Sequence, residues 1–244
     1  MKLLHVFTLL SISVLTMMSG CASYTTPGGP VDLASIDSEE IAGIMARKPA
    51  AHFPVVLAFA RIQSPSYKSY SANTYGTGAY SVVTTREFMS DAEASTLAGF
   101  PGVQSVTPLS RLLLPSQLES LRDLRTAAAS LKSDILLVFT IDTSFRVDGK
   151  TIGPLSLVSL GMLRDRETVV TSTASAIFVD TRSGYVYGVS EASATETKTT
   201  SAWGSASAVD QSRLITEREA FGGLMRELKN TWQGIVTEYA DNAA

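Results

Sequence analysis

Four groups of side chains in this sequence have the types and spacing to do chemistry: a lone thiol, an almost lone imidazole, a pair of carboxylates and a run of phenols. Cys21 is the one cysteine among 244 residues. A disulfide needs a second cysteine, so this thiol is available for nucleophilic chemistry or modification instead. It lies in "LTMMSGCASYTTPGGP", after an apolar run and before small polar residues, where an extended chain leaves it accessible. Only His5 and His52 could act as imidazoles, and His5 sits in the apolar leader. A zinc site built from several His, or from Cys with His, is therefore excluded, as is HExxH. A Ser-His-Asp triad would have to use His52, in "KPAAHFPVVLAF", with no GxSxG to supply a nucleophile. His52 reads as a surface residue or one that leads into a strand. Asp142 and Asp180 lie near strand ends, and two carboxylates can cleave a glycosidic bond without histidine. Turn and strand-edge roles are the plainer reading for both. There is no P-loop and no GxGxxG, so no cofactor and no metal is expected.

The phenols are Tyr67, Tyr70, Tyr75 and Tyr80, in "SPSYKSYSANTYGTGAYSVV". Spacings of three, five and five fit neither helix nor strand, so a shared core face is not expected. The segment is either a long loop or loose hairpin, or a recognition loop whose rigid aromatics make these four tyrosines candidate partner contacts.

The leader explains the thiol. Lys2 supplies a short positive region, Leu3 to Met18 an apolar one, and Ser19-Gly20 the small residues before Cys21. That is secretory-signal grammar, too short to span a bilayer comfortably. "MSGC" resembles a bacterial lipobox, although methionine is less typical than leucine at its position. The resemblance implies acylation, palmitate included, of Cys21. Two or more acyl chains hold a protein at a bilayer without a spanning helix. Ala22, rather than Asp, follows the cysteine, which in enterobacterial lipoproteins implies the outer membrane. The expected organisation is a signal peptide at 1–20, an acylated tether at 21–36 and one periplasmic domain at 37–244. The whole chain carries 20 basic and 23 acidic residues, a formal charge of −3, and loss of Lys2 with the leader makes it −4. With no basic cluster, nucleic acid is not an expected partner.

Around these residues the pattern alternates. Ser38 to about Arg47 predicts a short helix, and "HFPVVLAFARIQ" a strand covered on both faces. Ser90 to Glu93 has capping-box spacing and starts a helix ending at Gly99. Val103 to Thr107 is a short strand. Ser116 to Glu119 is a second capping box, heading a helix from Gln117 to Leu131 with Leu118, Leu121, Leu124 and Ala128 on one stripe. "DILLVFTIDTSFRV" is a central strand. The apolar stretch 152–163 is a covered connection, or a surface that a partner or lipid hides. Residues 168–200 form a long hairpin about Asp180-Thr181-Arg182-Ser183-Gly184. Leu214 to Tyr239 carries a helical stripe, where Gly222-Gly223 weakens the helix or permits a close contact.

"VVLAFARI", "LRTAAASLKSDILLVFTID" and "AIFVDTRSGYVYG" resemble the periplasmic lipoprotein domain shared by the curli secretion lipoprotein and the lipoprotein activators of penicillin-binding proteins. The resemblance covers roughly Pro54 to Tyr239. It implies an α/β fold: a three-layer domain with a mixed sheet, a long antiparallel hairpin and a C-terminal helix, working without catalysis. The expected function is a membrane-anchored, non-enzymatic binding or assembly module whose partners are envelope proteins or peptidoglycan-associated machinery, besides the membrane itself through Cys21. A secretion-pore subunit is the alternative, but the hairpin lacks the apolar band and aromatic girdles that lipid-facing strands require. A carboxylate hydrolase using Asp142 and Asp180 is the third.

Overall fold

The computed structural model describes residues 41–65, 67, 69, 71–147, 150–151, 167–199 and 206–240. Cys21, the leader, the tether, Tyr70 and the 152–163 stretch lie outside the described residues.

Helix α1 spans Ile41–Ala46, and strand β1 follows at Val55–Gln63. Three short strands come next: β2 Thr74–Tyr75, β3 Thr77–Gly78 and β4 Ser81–Val83. Then follow α2 Asp91–Ala98, β5 Val103–Pro108, a 3-10 turn Arg111–Leu113, β6 Gln117–Leu118 and α3 Leu121–Ser130. The chain finishes with β7 Ile135–Val147, β8 Lys150–Thr151, β9 Glu167–Asp180, β10 Val186–Thr199 and α4 Ala206–Tyr239.

The main sheet is mixed, in the order β10-β9-β7-β1-β4-β2. β1 pairs in parallel with β7 on one side. On its other side it pairs with β5 over its first half and with antiparallel β4 over its second. We call the end where β1 begins the lower end and the end where it finishes the upper one. β3 and β6 form a separate parallel pair.

Alternation along β1 and β7 sorts side chains to two faces, as strand geometry requires. Val55, Leu57, Phe59, Ile135, Leu137, Phe139 and Ile141 join Leu97 of α2 and Leu224, Leu228 and Trp232 of α4 in one core. Ala58, Ile62, Leu136 and Val138 join Leu124, Ala127 and Ala128 of α3 in the other. Helices thus cover both faces, giving the three layers the sequence implied. A strand with both faces covered has no polar side, which is why "VVLAFARIQ" reads as a continuous apolar run. The capping box at Ser90 forms as expected, with the Glu93 carboxylate accepting from Ser90 N at 3.0 Å.

The second capping box is corrected. Gln117 and Leu118 are in β6, and the helix starts after Ser120. The Asp123 carboxylate accepts from both Ser120 N and Glu119 N, at 2.9 Å each, so it caps the chain four residues later than Ser116 would. Leu118 is buried through strand pairing, and Leu121 is only half-buried, so Leu124 carries the helix's main contact.

The long hairpin is present as expected, with β9 and β10 of 14 residues each. Gly184 turns it at φ +74°, a left-handed backbone that glycine adopts without strain. α4 has 34 residues, a rod of about 51 Å laid over β9 and β10. A Cβ on Gly223 would lie 2.9 Å from Ala192 Cβ, so this glycine lets the helix approach β10 closely.

Candidate functional site

At the upper end, among the described residues, five charged side chains meet beside Tyr67 and Ser69. Arg61 points from β1, Glu87 from the chain leading to α2, and Asp210, Arg213 and Glu217 from the first turns of α4. Helical spacing of three and four places the last three on one stripe. Arg213 and Glu217 are wholly buried. Arg213 donates from Nη1 to Glu217 Oε2 at 2.7 Å, from Nε to Asp210 Oδ1 at 3.0 Å and from Nη2 to Ser69 Oγ at 3.0 Å. Thr143 donates to Glu217 Oε1 at 2.9 Å, and its oxygen lies 2.9 Å from Ser172 Oγ. Arg61 donates to Glu87 Oε2 and to Tyr67 Oη, both at 3.2 Å, and its Nη2 lies 3.8 Å from Glu217 Oε2. Its guanidinium also stands 4.8 Å from the Phe88 ring centre.

Burying so many charges is tolerable only because each finds an opposite charge or a strong donor. Arg61 Nε and Glu87 Oε1 are buried without a hydrogen-bond partner among the described residues. They are the unused atoms of the Arg61–Glu87 ion pair, which is made through one oxygen only. Burial pushes the Tyr67 phenol pKa up, against the pull of Arg61 and Arg213. The network therefore holds a neutral phenol and paired charges, an arrangement that fixes geometry.

Beside it opens a cleft of about 390 Å³ between α4 and the 84–96 segment. Glu87, Glu93 and Arg218 supply its charge, and Phe88, Phe221 and Met225 its apolar wall. The Phe88 and Phe221 rings are 5.7 Å apart and brace each other. That volume is in the range of small-ligand and side-chain pockets.

At the lower end the site residue is Asp180. Its Oδ1 accepts from Arg182 N and Ser183 N at 2.8 Å, and its Oδ2 from Ala50 N and Tyr187 Oη at 2.7 Å. Burial alone would push its pKa up, but these bonds outweigh burial and hold the carboxyl below its ordinary range. Burial, with the same bond to Asp180, pushes the Tyr187 phenol up.

The sequence-derived candidates scatter. Asp180 pairs with Ile135 and Asp142 with Thr173, so the two carboxylates lie seven residues apart along β7. At roughly 3.3 Å per residue that is about 23 Å, far beyond the ~5–9.5 Å that a glycosidase pair needs. Burial pushes the Asp142 pKa up, against a hydrogen bond from the Thr143 backbone. His52 is exposed. Tyr67 and Tyr80 are buried, a correction to their reading as partner contacts. Tyr80 packs with Leu118 and Leu124 and donates to Ser120 O at 2.8 Å, whereas Tyr67 closes the charge network on the opposite side of the sheet. Tyr75 is half-buried and donates to Leu114 O at 3.3 Å. Tyr75 packs against the same core as Tyr80, while Tyr67 is buried on the other side of the sheet, so the expectation that they share no core face is corrected for Tyr75 and Tyr80. Sequence reasoning missed the charge network, although Arg61 inside an otherwise apolar strand signals it. Among the described residues no three His, Cys, Asp or Glu side chains gather as metal ligands. Nor is any described helix long and apolar enough to cross a membrane.

No protein-family model matches this chain. No curated protein matches it either. Solved structures similar to it include a lipoprotein of Neisseria meningitidis, GNA1162, at 16% identity and TM-score 0.29, covering 59% of this chain and 83% of that one. The PelC dodecamer from Paraburkholderia phytofirmans matches at 12% identity and TM-score 0.27, over 74% of this chain and 94% of that one. Protein XCC0632 from Xanthomonas campestris matches at 12% identity and TM-score 0.33, over 91% of this chain and all of that one. Similarity at this level transfers no role.

Proposed function

We propose that this chain is a lipid-anchored, non-enzymatic binding or assembly module of the bacterial cell envelope, tethered through Cys21 at the periplasmic face of the outer membrane. The observation that carries this reading is the cleft beside the charge network. Its walls come from a long helix and a braced segment, while the neighbouring charges hold one another in place. Such a pocket suits an apolar group flanked by opposite charges, as on a protein partner's side chains. Asp142 and Asp180 are too far apart to act together, which removes the hydrolase reading's best pair. The pore reading gains nothing from the hairpin. Its inner face packs Ala174, Ala176, Phe178 and Ala194 into the core with α4, and its outer face pairs hydroxyls, Thr173 with Ser193 and Thr171 with Thr195.

Two measurements test the reading. A photo-crosslinking residue at Thr96, on the cleft wall, should capture an envelope protein in intact cells, and R218E should abolish that capture. An equal yield from Ile215, outside the cleft, would remove the cleft as the contact. Metabolic fatty-acid labelling should mark the wild type and not C21A; equal labelling would overturn the anchor.

A further inference from the structure

We infer that the cleft between α4 and the 84–96 segment seats an acidic peptide segment of a partner protein. A bulky apolar side chain of that segment enters over Gly222, while its carboxylates meet Arg218 and Lys229. The inference rests on the reading of this chain as a binding module, and names the chemistry of what it binds. Gly222 lies inside α4 and lines the cleft. A glycine inside a helix weakens it relative to alanine. Gly223 has a packing reason, since a Cβ there would lie 2.9 Å from Ala192 Cβ. Gly222 has none, for a Cβ on it would meet nothing within 4 Å. What the missing side chain leaves is room, beside Phe88, Phe221 and Met225. An apolar wall with space for one more large side chain is what an anchor residue of a partner fills.

Charge decides the class of that segment. Glu87, Glu93 and Arg218 line the cleft, and both acids are already engaged. Glu87 accepts from Arg61 at 3.2 Å through one oxygen, and its other oxygen is buried. Glu93 accepts from Ser90 N at 3.0 Å and from the Ser90 hydroxyl, which closes the cap of α2, and the helix start offsets its charge. Asp91 beside it is matched by Arg86 at 3.0 Å. Arg218 is exposed and makes no hydrogen bond or ion pair among the described residues. Helical spacing continues its stripe through Gly222 and Met225 to Lys229, which is likewise exposed and unpaired among the described residues. Glu219 and Glu227 lie about 100° and about 180° around the helix from Arg218, at 3.6 residues per turn. The unmet charge of this face is therefore positive, although the whole chain carries 20 basic against 23 acidic residues. Acidic groups are steered to such a face and held in register there, while the apolar side chain supplies the buried contact.

The full chain in detergent micelles is titrated with three fluorescent peptides. The first is acetyl-Asp-Glu-Phe-Glu-Asp-amide, the second has Ala in place of Phe, and the third has Lys in place of every acid. Anisotropy should show binding of the first, binding of the second weaker by at least about tenfold, and none of the third. R218E/K229E should weaken the first by at least about tenfold, and added salt should weaken it in the wild type. G222L should weaken it as much while the unfolding midpoint stays unchanged or rises, because leucine favours a helix where nothing crowds its Cβ. G222A keeps most of the room and should retain binding. No binding of the first peptide, equal or stronger binding of the third, or an unchanged affinity in R218E/K229E would overturn the seat. So would full affinity in a folded G222L, or a Thr96 crosslink made only to a second copy of this chain. The binding reading is judged apart from this, by whether Thr96 captures an envelope protein in intact cells. Capture that persists while the acidic peptide is refused keeps that reading and removes the acidic partner.

Discussion

At the lower end of the sheet a single carboxylate, Asp180, is enclosed by four donors, three of them backbone amides. At the upper end three carboxylates and two guanidinium groups face one another from β1, the 84–90 segment and α4. Both arrangements bury charge, but they differ in range. Two of Asp180's donors, Arg182 N and Ser183 N, lie in its own turn and form with it as soon as the hairpin closes. The upper network brings together residues as distant as Arg61 and Glu217, so it exists only when the whole domain is assembled. The lower end is a turn made rigid by its own backbone. The upper end is a clamp joining the sheet to the first turns of α4, and the cleft beside it inherits that rigidity.

The largest expected effect tests the clamp. Glu217→Ala leaves Arg213 buried without its closest partner, and should cost about 3–5 kcal/mol in denaturant unfolding. Arg213→Met combined with Glu217→Leu should cost less than the sum of the single changes, because an apolar pair needs no compensation. Additive losses would mean that the two residues do not act as a unit.

Asp180→Ala should cost at least about 2 kcal/mol, since it strands donors that the fold keeps from water. Its pH dependence has a definite sign. The folded carboxyl titrates below the unfolded one, so its contribution is fully present above the unfolded value of about 4 and is lost as pH falls through the folded value. Acid titration of stability should therefore be flatter for the variant than for the wild type below that point. Parallel curves would place the acid sensitivity elsewhere.

Tyr187→Phe removes one of Asp180's donors, for about 1 kcal/mol. It should also move the onset of acid destabilisation to higher pH, because the carboxylate loses a bond that favours its charged form. Tyr67→Phe is the smallest change expected, at or below about 1 kcal/mol, since Arg61 keeps Glu87 when it loses the phenol oxygen. A larger loss at Tyr67 than at Tyr187 would invert the comparison and make the phenol a central member of the clamp.

Much of this was legible in the residues. Both central strands, the Ser90 cap with its Glu93 partner, and the turn at Asp180–Gly184 follow from periodicity and turn chemistry that act over a few residues. The register of α3 was not, because two boxes compete. Ser116 with Glu119 and Ser120 with Asp123 have the same spacing and the first has the more usual acid, but pairing of Gln117 and Leu118 with β3 removes those residues from the helix, and Ser120 with Asp123 caps it instead. The tyrosines misled for a related reason. Irregular spacing did not keep them from the interior, because Tyr80, with Tyr75 packed beside it, enters the core on one side of the sheet while Tyr67 is buried against Arg61 on the other.

The sequence by itself determined the order of elements: a mixed α/β alternation, a hairpin turn and a long C-terminal helix. Each rests on residues close together in the chain, where composition and spacing act without help from the rest of the molecule. Only the tertiary structure decided which charged residues meet. Arg61 is a lone cation in an apolar strand, and Glu87, Arg213 and Glu217 are ordinary polar residues of a loop and a helix. They become a buried network with a cleft beside it because sheet order carries β1 next to β7, and α4, laid over β9 and β10, brings its first turns within reach of Arg61 and Thr143. Contacts across more than a hundred residues leave no periodic trace along the chain, so no local pattern could have announced them.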